Sequence, residues 1–119
     1  MGFAFEDLTV YQKSIDFTVS VIDLVDKLDT SRKHYRLIEQ LESACSSITL
    51  NIAEGKGRFS QKEFKHFCYI ARGSLYETVS ILQIFKKKNW ITGESYKNLY
   101  NDATEIHKMI SGLIKSIKT

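Results

Sequence analysis

No proline occurs anywhere in this chain of 119 residues, and only six residues are glycine. Proline interrupts helices because it lacks an amide hydrogen and clashes with the preceding turn, and turn-rich β folds depend on both residue types. The composition therefore favours long uninterrupted helices. Apolar residues recur every three or four positions in four segments, which is the spacing of one helical face. This spacing predicts helices at about residues 5–28, 32–54, 61–88 and 93–118.

Residues suited to helix ends separate the second and third predicted helices. Gly55 is expected to end the second helix in the left-handed conformation, with Gly57 as a second flexible point. Ser60 and Glu63 fit a capping box, in which each side chain bonds the backbone amide of the other residue. Because the connections are short, we expect an all-α fold: one antiparallel up-down-up-down four-helix bundle formed by the single domain 1–119.

The first predicted helix carries two apolar rows. The row expected to face the core consists of Leu8, Tyr11, Ile15, Val19, Ile22 and Val25. The second row consists of Val10, Phe17, Val21 and Leu24. It widens the apolar surface beyond the stripe that a surface helix needs, and a monomer seldom leaves such a row to water. These four residues therefore predict an oligomer interface, which the change Phe17→Glu should dissociate.

Several classes of protein are disfavoured by what the sequence lacks. The apolar runs are only a few residues long, and the N-terminus has no basic start or small-residue cleavage site, so we expect a soluble cytoplasmic protein without a membrane partner. Cys45 and Cys68 are too few for a disulfide framework and lack metal-site spacing, so they are expected to fill the core in a reducing compartment.

Catalytic and metal-binding arrangements are also unsupported. Glu63 and His66 have the Glu-x-x-His spacing of di-iron bundles, but the other histidines, His34 and His107, have no glutamate three residues before them. No nucleophile and base pattern accompanies the three histidines. We therefore expect no catalytic residues, no metal, no cofactor and no enzymatic activity.

Basic residues are expected to converge at one end of the bundle, where the second helix starts and the third helix ends. The candidate nucleic-acid-binding residues are Arg32, Lys33, Arg36, Lys86, Lys87 and Lys88. Trp90 could add a face on which a base stacks. The lysine run has two interpretations. The first is nucleic-acid binding; the second is that these lysines only complement the dipole at a helix C-terminus and keep the surface solvated. Arg32 and Lys33 do not fit the second interpretation, since cations oppose the dipole at a helix N-terminus.

Two segments carry a specific motif. The first runs Asn51-Ile52-Ala53-Glu54-Gly55-Lys56-Gly57-Arg58, and the second runs Ile70-Ala71-Arg72-Gly73-Ser74-Leu75-Tyr76-Glu77. Residue type assigns them mainly structural tasks: Arg58 could pair with Glu54, and Asn51 could bond backbone groups of its own turn. Gly73 lies inside a predicted helix, where glycine costs about 1 kcal/mol relative to alanine, so we expect it to permit close packing near Ala44. Contact with a partner is the alternative for this cluster.

With these motifs, the chain resembles the small bacterial proteins encoded in 23S rRNA intervening sequences. The resemblance implies an antiparallel four-helix protomer that assembles into a homopentameric ring. It brings no established activity for those proteins. The same fold is used by the accessory variability protein of diversity-generating retroelements, a pentamer that binds nucleic acid and its reverse transcriptase.

The chain departs from this family on the second predicted helix. Relatives often carry two arginines just before the position of Ala44, where this sequence has Glu42 and Ser43. Fewer cations weaken the expectation of phosphate contacts on that face.

Two hypotheses for the function follow. The first is a non-enzymatic adaptor that forms a homo-oligomer, binds RNA or DNA with low specificity and also binds a protein such as a reverse transcriptase. The second is a scaffold that recognises protein only.

Overall fold

The computed structural model describes residues 2–28 and 34–119. Within these ranges the chain forms four α-helices and no strand: α1 Thr9–Asp26, α2 Tyr35–Lys56, α3 Gln61–Lys87 and α4 Gly93–Ser116. A 3₁₀ helix, Ala4–Asp7, precedes α1 and is separated from it by the extended residue Leu8. The first predicted helix is therefore two elements. The predicted start of the second helix at residue 32 lies outside the described residues.

Each helix packs against its neighbours in the chain, and α1 also packs against α4. The side chains that meet between α2 and α3 run in opposite order, since Gln40 contacts Glu77 and Ser47 contacts Ser74. The molecule is elongated, with extents of 45 × 23 × 21 Å, and its apolar core runs along the long axis between the four helices. This arrangement is that of a four-helix bundle.

Both apolar rows of α1 contribute to the core, and the row predicted as an interface is the more deeply buried of the two. Val10, Phe17 and Val21 are buried, with 5%, 2% and 0% of their surface exposed, and Leu24 packs against the core. Ile15 and Val19 of the other row are exposed, at 38% and 51%. The predicted interface of Val10, Phe17, Val21 and Leu24 is therefore wrong, because α2 and α4 cover this row within one chain.

A polar residue, Ser14, interrupts the buried apolar row of α1, so the sequence does not show that row as continuous. Ser14 stands between Val10 and Phe17 on the buried face, and its surface is fully covered. Its hydroxyl donates to the carbonyl of Tyr11 at 2.7 Å and accepts from the hydroxyl of Thr49 on α2 at 2.9 Å. Because each hydroxyl is satisfied, this polar residue is tolerated in the core and joins α1 to α2.

The two motif glycines in the middle of the chain also differ from expectation. Gly55 lies inside α2 and is buried, and the helix ends one residue later at Lys56 with Gly57 as its C-cap. Neither glycine has a positive φ, and Gly57 has φ −82°, so the predicted left-handed conformation at Gly55 is wrong. A Cβ on Gly55 would lie 2.6 Å from the Cβ of Phe67, which explains why glycine is required there. Gly73 has open space around it instead, so its predicted close packing is wrong.

The ends of α3 are closed by local hydrogen bonds. Ser60 accepts from the amide of Glu63 at 3.1 Å, as a capping residue does. The carboxylate of Glu63 accepts from the Ser60 hydroxyl at 3.2 Å, rather than from the Ser60 amide that the capping box predicted. At the other end Asn89 has φ 61°, and the amides of Asn89 and Trp90 donate to Lys86 and Phe85. This is a Schellman motif, and it turns the chain towards α4.

Both cysteines are buried and carry free thiols, and burial raises the pKa of each from 9.0 to about 11 because the thiolate is poorly solvated there. The folded chain thus holds these protons more tightly than the unfolded chain. The resulting stability is complete below pH 9 and is lost as the pH rises towards 11.

We expect the free energy of unfolding in urea to fall between pH 9 and pH 11, and the decline to be smaller in a Cys45→Ala, Cys68→Ala double variant. An equal decline in both proteins would contradict this assignment.

Candidate functional site

The end of α3 carries the lysine run at one end of the bundle. Lys86 and Lys87 form its last turn, Lys88 is the C-cap, and all three are exposed. His34 precedes α2, and its ring lies 4.5 Å from that of Trp90, which follows α3. The start of α2 and the end of α3 therefore meet, and Arg36 is exposed in the first turn of α2. Arg32 and Lys33, two further candidates, lie outside the described residues.

The three lysines form no ion pair with any carboxylate in the part of the chain that the structure describes. The ammonium of Lys86 lies 4.8 Å from the centre of the Tyr96 ring on α4, a cation–π contact. Trp90 is half-buried and packs against Phe85 as well as His34. Much of its ring is thus used in the fold, which limits its predicted part in base stacking.

The motif residues on α2 and α3 come together along the seam between these helices. The amide of Asn51 donates to the carbonyl of Ser47 at 2.8 Å and to its hydroxyl at 2.9 Å. Ser47 also accepts from the hydroxyl of Ser74 at 2.9 Å. Further along, the amide of Gln40 donates to the carboxylate of Glu77 at 3.2 Å. The bonds of Asn51 lie within α2, and the Ser74–Ser47 and Gln40–Glu77 bonds join the two helices.

Arg58 joins the two ends of the connection between α2 and α3. Its guanidinium lies 3.6 Å from the carboxylate of Glu54 and 3.9 Å from that of Glu63, and it stacks 4.8 Å from the centre of the Phe67 ring. Such exposed pairs contribute little individually, but together they orient the arginine. Gly55 packs against the same Phe67, so the motif cluster of Asn51, Glu54, Gly55, Arg58, Ser74 and Glu77 has a structural task at each described contact.

A groove that the sequence did not predict lies between α3 and α4. It has a volume of about 320 Å³. Its floor is apolar, and its rim carries tyrosine, histidine and hydroxyl side chains. The lining residues are Leu75, Tyr76, Val79, Ser80, Tyr100, Ala103, Thr104 and His107. We call this the α3–α4 groove.

A side-chain hydrogen bond crosses the α3–α4 groove. The hydroxyl of Tyr76 lies 2.9 Å from Nε2 of His107, and the ring of Tyr100 lies 5.7 Å from that of Tyr96. About half of the surface of Tyr76 and of Tyr100 remains exposed. The sequence signal was the row Tyr96, Tyr100 and His107, which lies beside the apolar stripe of α4 with helical spacing.

The family model of the 23S rRNA-intervening sequence protein matches residues 6–112. The chain belongs to this family. A crystal structure from Bacteroides thetaiotaomicron VPI-5482, of a protein of unknown function in the S23 ribosomal protein family, is similar to it with a TM-score of 0.84 and 30% sequence identity. The similarity covers 91% of this chain and 100% of that chain. No curated protein matches the sequence.

The similar crystal structure shares the fold of this chain, and it is described as that of a protein of unknown function. No group of three or more possible metal ligands lies together in residues 2–28 and 34–119. Glu63 bonds Ser60 and Arg58, while His66 is exposed beside Phe67.

None of the helices in residues 2–28 and 34–119 has the length and apolar character needed to cross a membrane.

Proposed function

We propose that the chain is a non-enzymatic oligomeric adaptor that binds RNA or DNA electrostatically, with little sequence preference. The observation that carries the proposal is the run Lys86, Lys87 and Lys88, which is exposed and has no carboxylate partner among the described residues. Arg36 lies near the same end of the bundle. Unpaired cations near one another attract phosphates without reading bases.

The adaptor is proposed to be an up-down-up-down protomer of a homo-oligomer, with five copies as the family resemblance implies. Support comes from an apolar face on the outside of α1 and α2 that includes Phe3, Ile15, Val19 and Leu50, which are between 38% and 72% exposed. Phe3 lines one depression with Ile15 and another with Ala53 of α2, so it lies between the two helices on this side of the bundle. Exposed apolar side chains grouped on one side of a bundle are typical of an interface.

Salt dependence tests the proposed nucleic-acid binding. The affinity for a labelled duplex should fall steeply with salt, because bound lysines release counterions from the phosphates. Changing Lys86, Lys87 and Lys88 to alanine should reduce the slope of log affinity against log salt by about 2 to 3. Lys13→Ala is the control, since Lys13 already pairs with Glu105 at 2.7 Å. Affinity that is independent of salt would contradict the proposal.

A scaffold that recognises only protein, such as a reverse transcriptase, is the second candidate function. It is favoured by the exposed side of α2, which carries Glu39, Glu42 and Ser43 and no lysine or arginine between Arg36 and Lys56. Failure of the chain to bind any oligonucleotide at low salt would favour this alternative. In either case we propose a cytoplasmic location, because both thiols are free and reduced thiols persist there.

A further inference from the structure

The side of α3 that borders the α3–α4 groove has no acidic residue. The helix contains only two, Glu63 and Glu77. Glu63 lies at the connection to α2, where it contacts Arg58 and Ser60. Glu77 faces α2, where it accepts from Gln40. Both carboxylates of α3 are therefore directed away from the groove.

The side of α4 that borders the groove is free of acidic residues as well. Asp102 and Glu105 line a cleft between α1 and α4, and Glu105 pairs there with Lys13. Glu94 is the only other acidic residue of α4. It stands about three helical turns before Glu105, so it shares the α1 side of the helix.

Cations border the same groove at both of its ends. The guanidinium of Arg72 donates to the hydroxyl of Ser111 across the groove at 3.2 Å and lies 5.1 Å from the centre of the Tyr69 ring. Lys86 reaches across to Tyr96 at the other end. Lys97 and Lys108 stand two turns before and one turn after Thr104, which places them between the groove side of α4 and the side that carries Glu94 and Glu105. The charged side chains at the two ends of the groove, Arg72 and Lys86, are thus both cationic.

From this arrangement we infer that the α3–α4 groove binds single-stranded nucleic acid, with bases stacked on Tyr76 and Tyr100 and phosphates held by Arg72, Lys86 and the lysines of α4. The inference deepens the proposed function and rests on it. Proteins that bind single strands without sequence preference combine a positive groove with aromatic rings that accept any base. Arg72 and Lys86 lie beyond the two ends of the groove and are about 20 Å apart along α3 at 1.5 Å per helical residue, a distance that spans several nucleotides.

A single strand fits this groove better than a duplex does. The bases of a duplex are stacked on one another, so the half-exposed rings of Tyr76 and Tyr100 would find no base face. An acidic peptide shares the negative charge but lacks flat rings to stack on the tyrosines. The ring contacts therefore favour single-stranded RNA or DNA over both.

The test compares oligothymidine, oligouridine and a duplex of the same length by fluorescence anisotropy. Changing Tyr76 and Tyr100 to leucine should weaken single-strand binding about tenfold for each stacked base and leave duplex binding within about twofold of the unchanged protein. Phe59→Leu is the control, because Phe59 is fully exposed in the connection between α2 and α3. Ser80→Glu places a carboxylate in the groove with both tyrosines intact and should also weaken single-strand binding. Its control is Asn98→Glu on the α1 side of α4.

Each result supports or overturns the inference. Loss of single-strand binding in the tyrosine pair and in Ser80→Glu, but not in the controls, supports it. Single-strand binding that is unchanged in these variants overturns the groove while the proposed function stands. A wild-type protein that binds no oligonucleotide at low salt overturns both. If polyglutamate competes as well as a single-stranded oligonucleotide does, the groove is not a single-strand site. The same conclusion follows if the groove variants change the mass of the assembly.

Discussion

Phe17→Glu is expected to unfold the protein, and Val19→Glu is expected to leave it folded and to reduce the mass of its assembly. Phe17 is 2% exposed, whereas Val19 is 51% exposed on the other side of the same helix. Truncating a buried phenylalanine costs about 3–5 kcal/mol, and a carboxylate in its place adds the cost of burying a charge. The total approaches the whole stability of a typical domain, about 5–15 kcal/mol.

The two α1 variants separate folding from assembly when each is measured for both. Far-ultraviolet circular dichroism should show helix loss in Phe17→Glu and a spectrum like that of the unchanged protein in Val19→Glu. Light scattering should show Val19→Glu at the mass of one chain, 13.7 kDa, if the apolar face joins copies as proposed. A folded, dissociated Phe17→Glu would restore the interface that the sequence predicted. An oligomer that survives Val19→Glu would remove the proposed apolar face.

Gly55→Ala should destabilise the protein by about 2 kcal/mol, and Gly73→Ala should stabilise it by about 1 kcal/mol. The new Cβ at Gly55 would lie 2.6 Å from the Cβ of Phe67, an atom that cannot rotate away because it is bonded to the backbone. Helices α2 and α3 would therefore have to separate. At Gly73 a Cβ meets nothing within 4 Å, so only the better helix propensity of alanine remains.

The glycine pair is a matched comparison because each change adds the same methyl group to a residue within a helix. Urea unfolding of the two variants and the unchanged chain gives both differences in the free energy of unfolding. The expected order is Gly73→Ala above the unchanged chain and Gly55→Ala below it. Equal stabilities of the two variants would show that Phe67 can move aside, and a destabilised Gly73→Ala would point to a contact on that exposed face.

The location of the functional surfaces follows from which helices pair. Tyr76 and His107 are 31 positions apart in the chain, yet their side chains share a hydrogen bond across the α3–α4 groove. Glu77 of α3 is held towards α2 by Gln40, and Glu105 of α4 is held towards α1 by Lys13. The net charge of +3 is weak for a nucleic-acid-binding protein, but the segregation of charge concentrates cations along one groove.

The sequence alone predicted the helices, the absence of strands in the described ranges, the start of α3 at Gln61 and the family. It could do so because periodicity, caps and motifs are local signals. The orientation of α1 could not be predicted from the sequence, because both of its apolar rows have helical spacing. In addition, the polar residue Ser14 interrupts the more deeply buried row. Only the pairing with Thr49 on α2 shows that Ser14 belongs inside. In the same way, nothing in the sequence separates Gly55 from Gly73. The side chain on the facing helix decides which of the two must remain glycine, and that neighbour is set by tertiary packing.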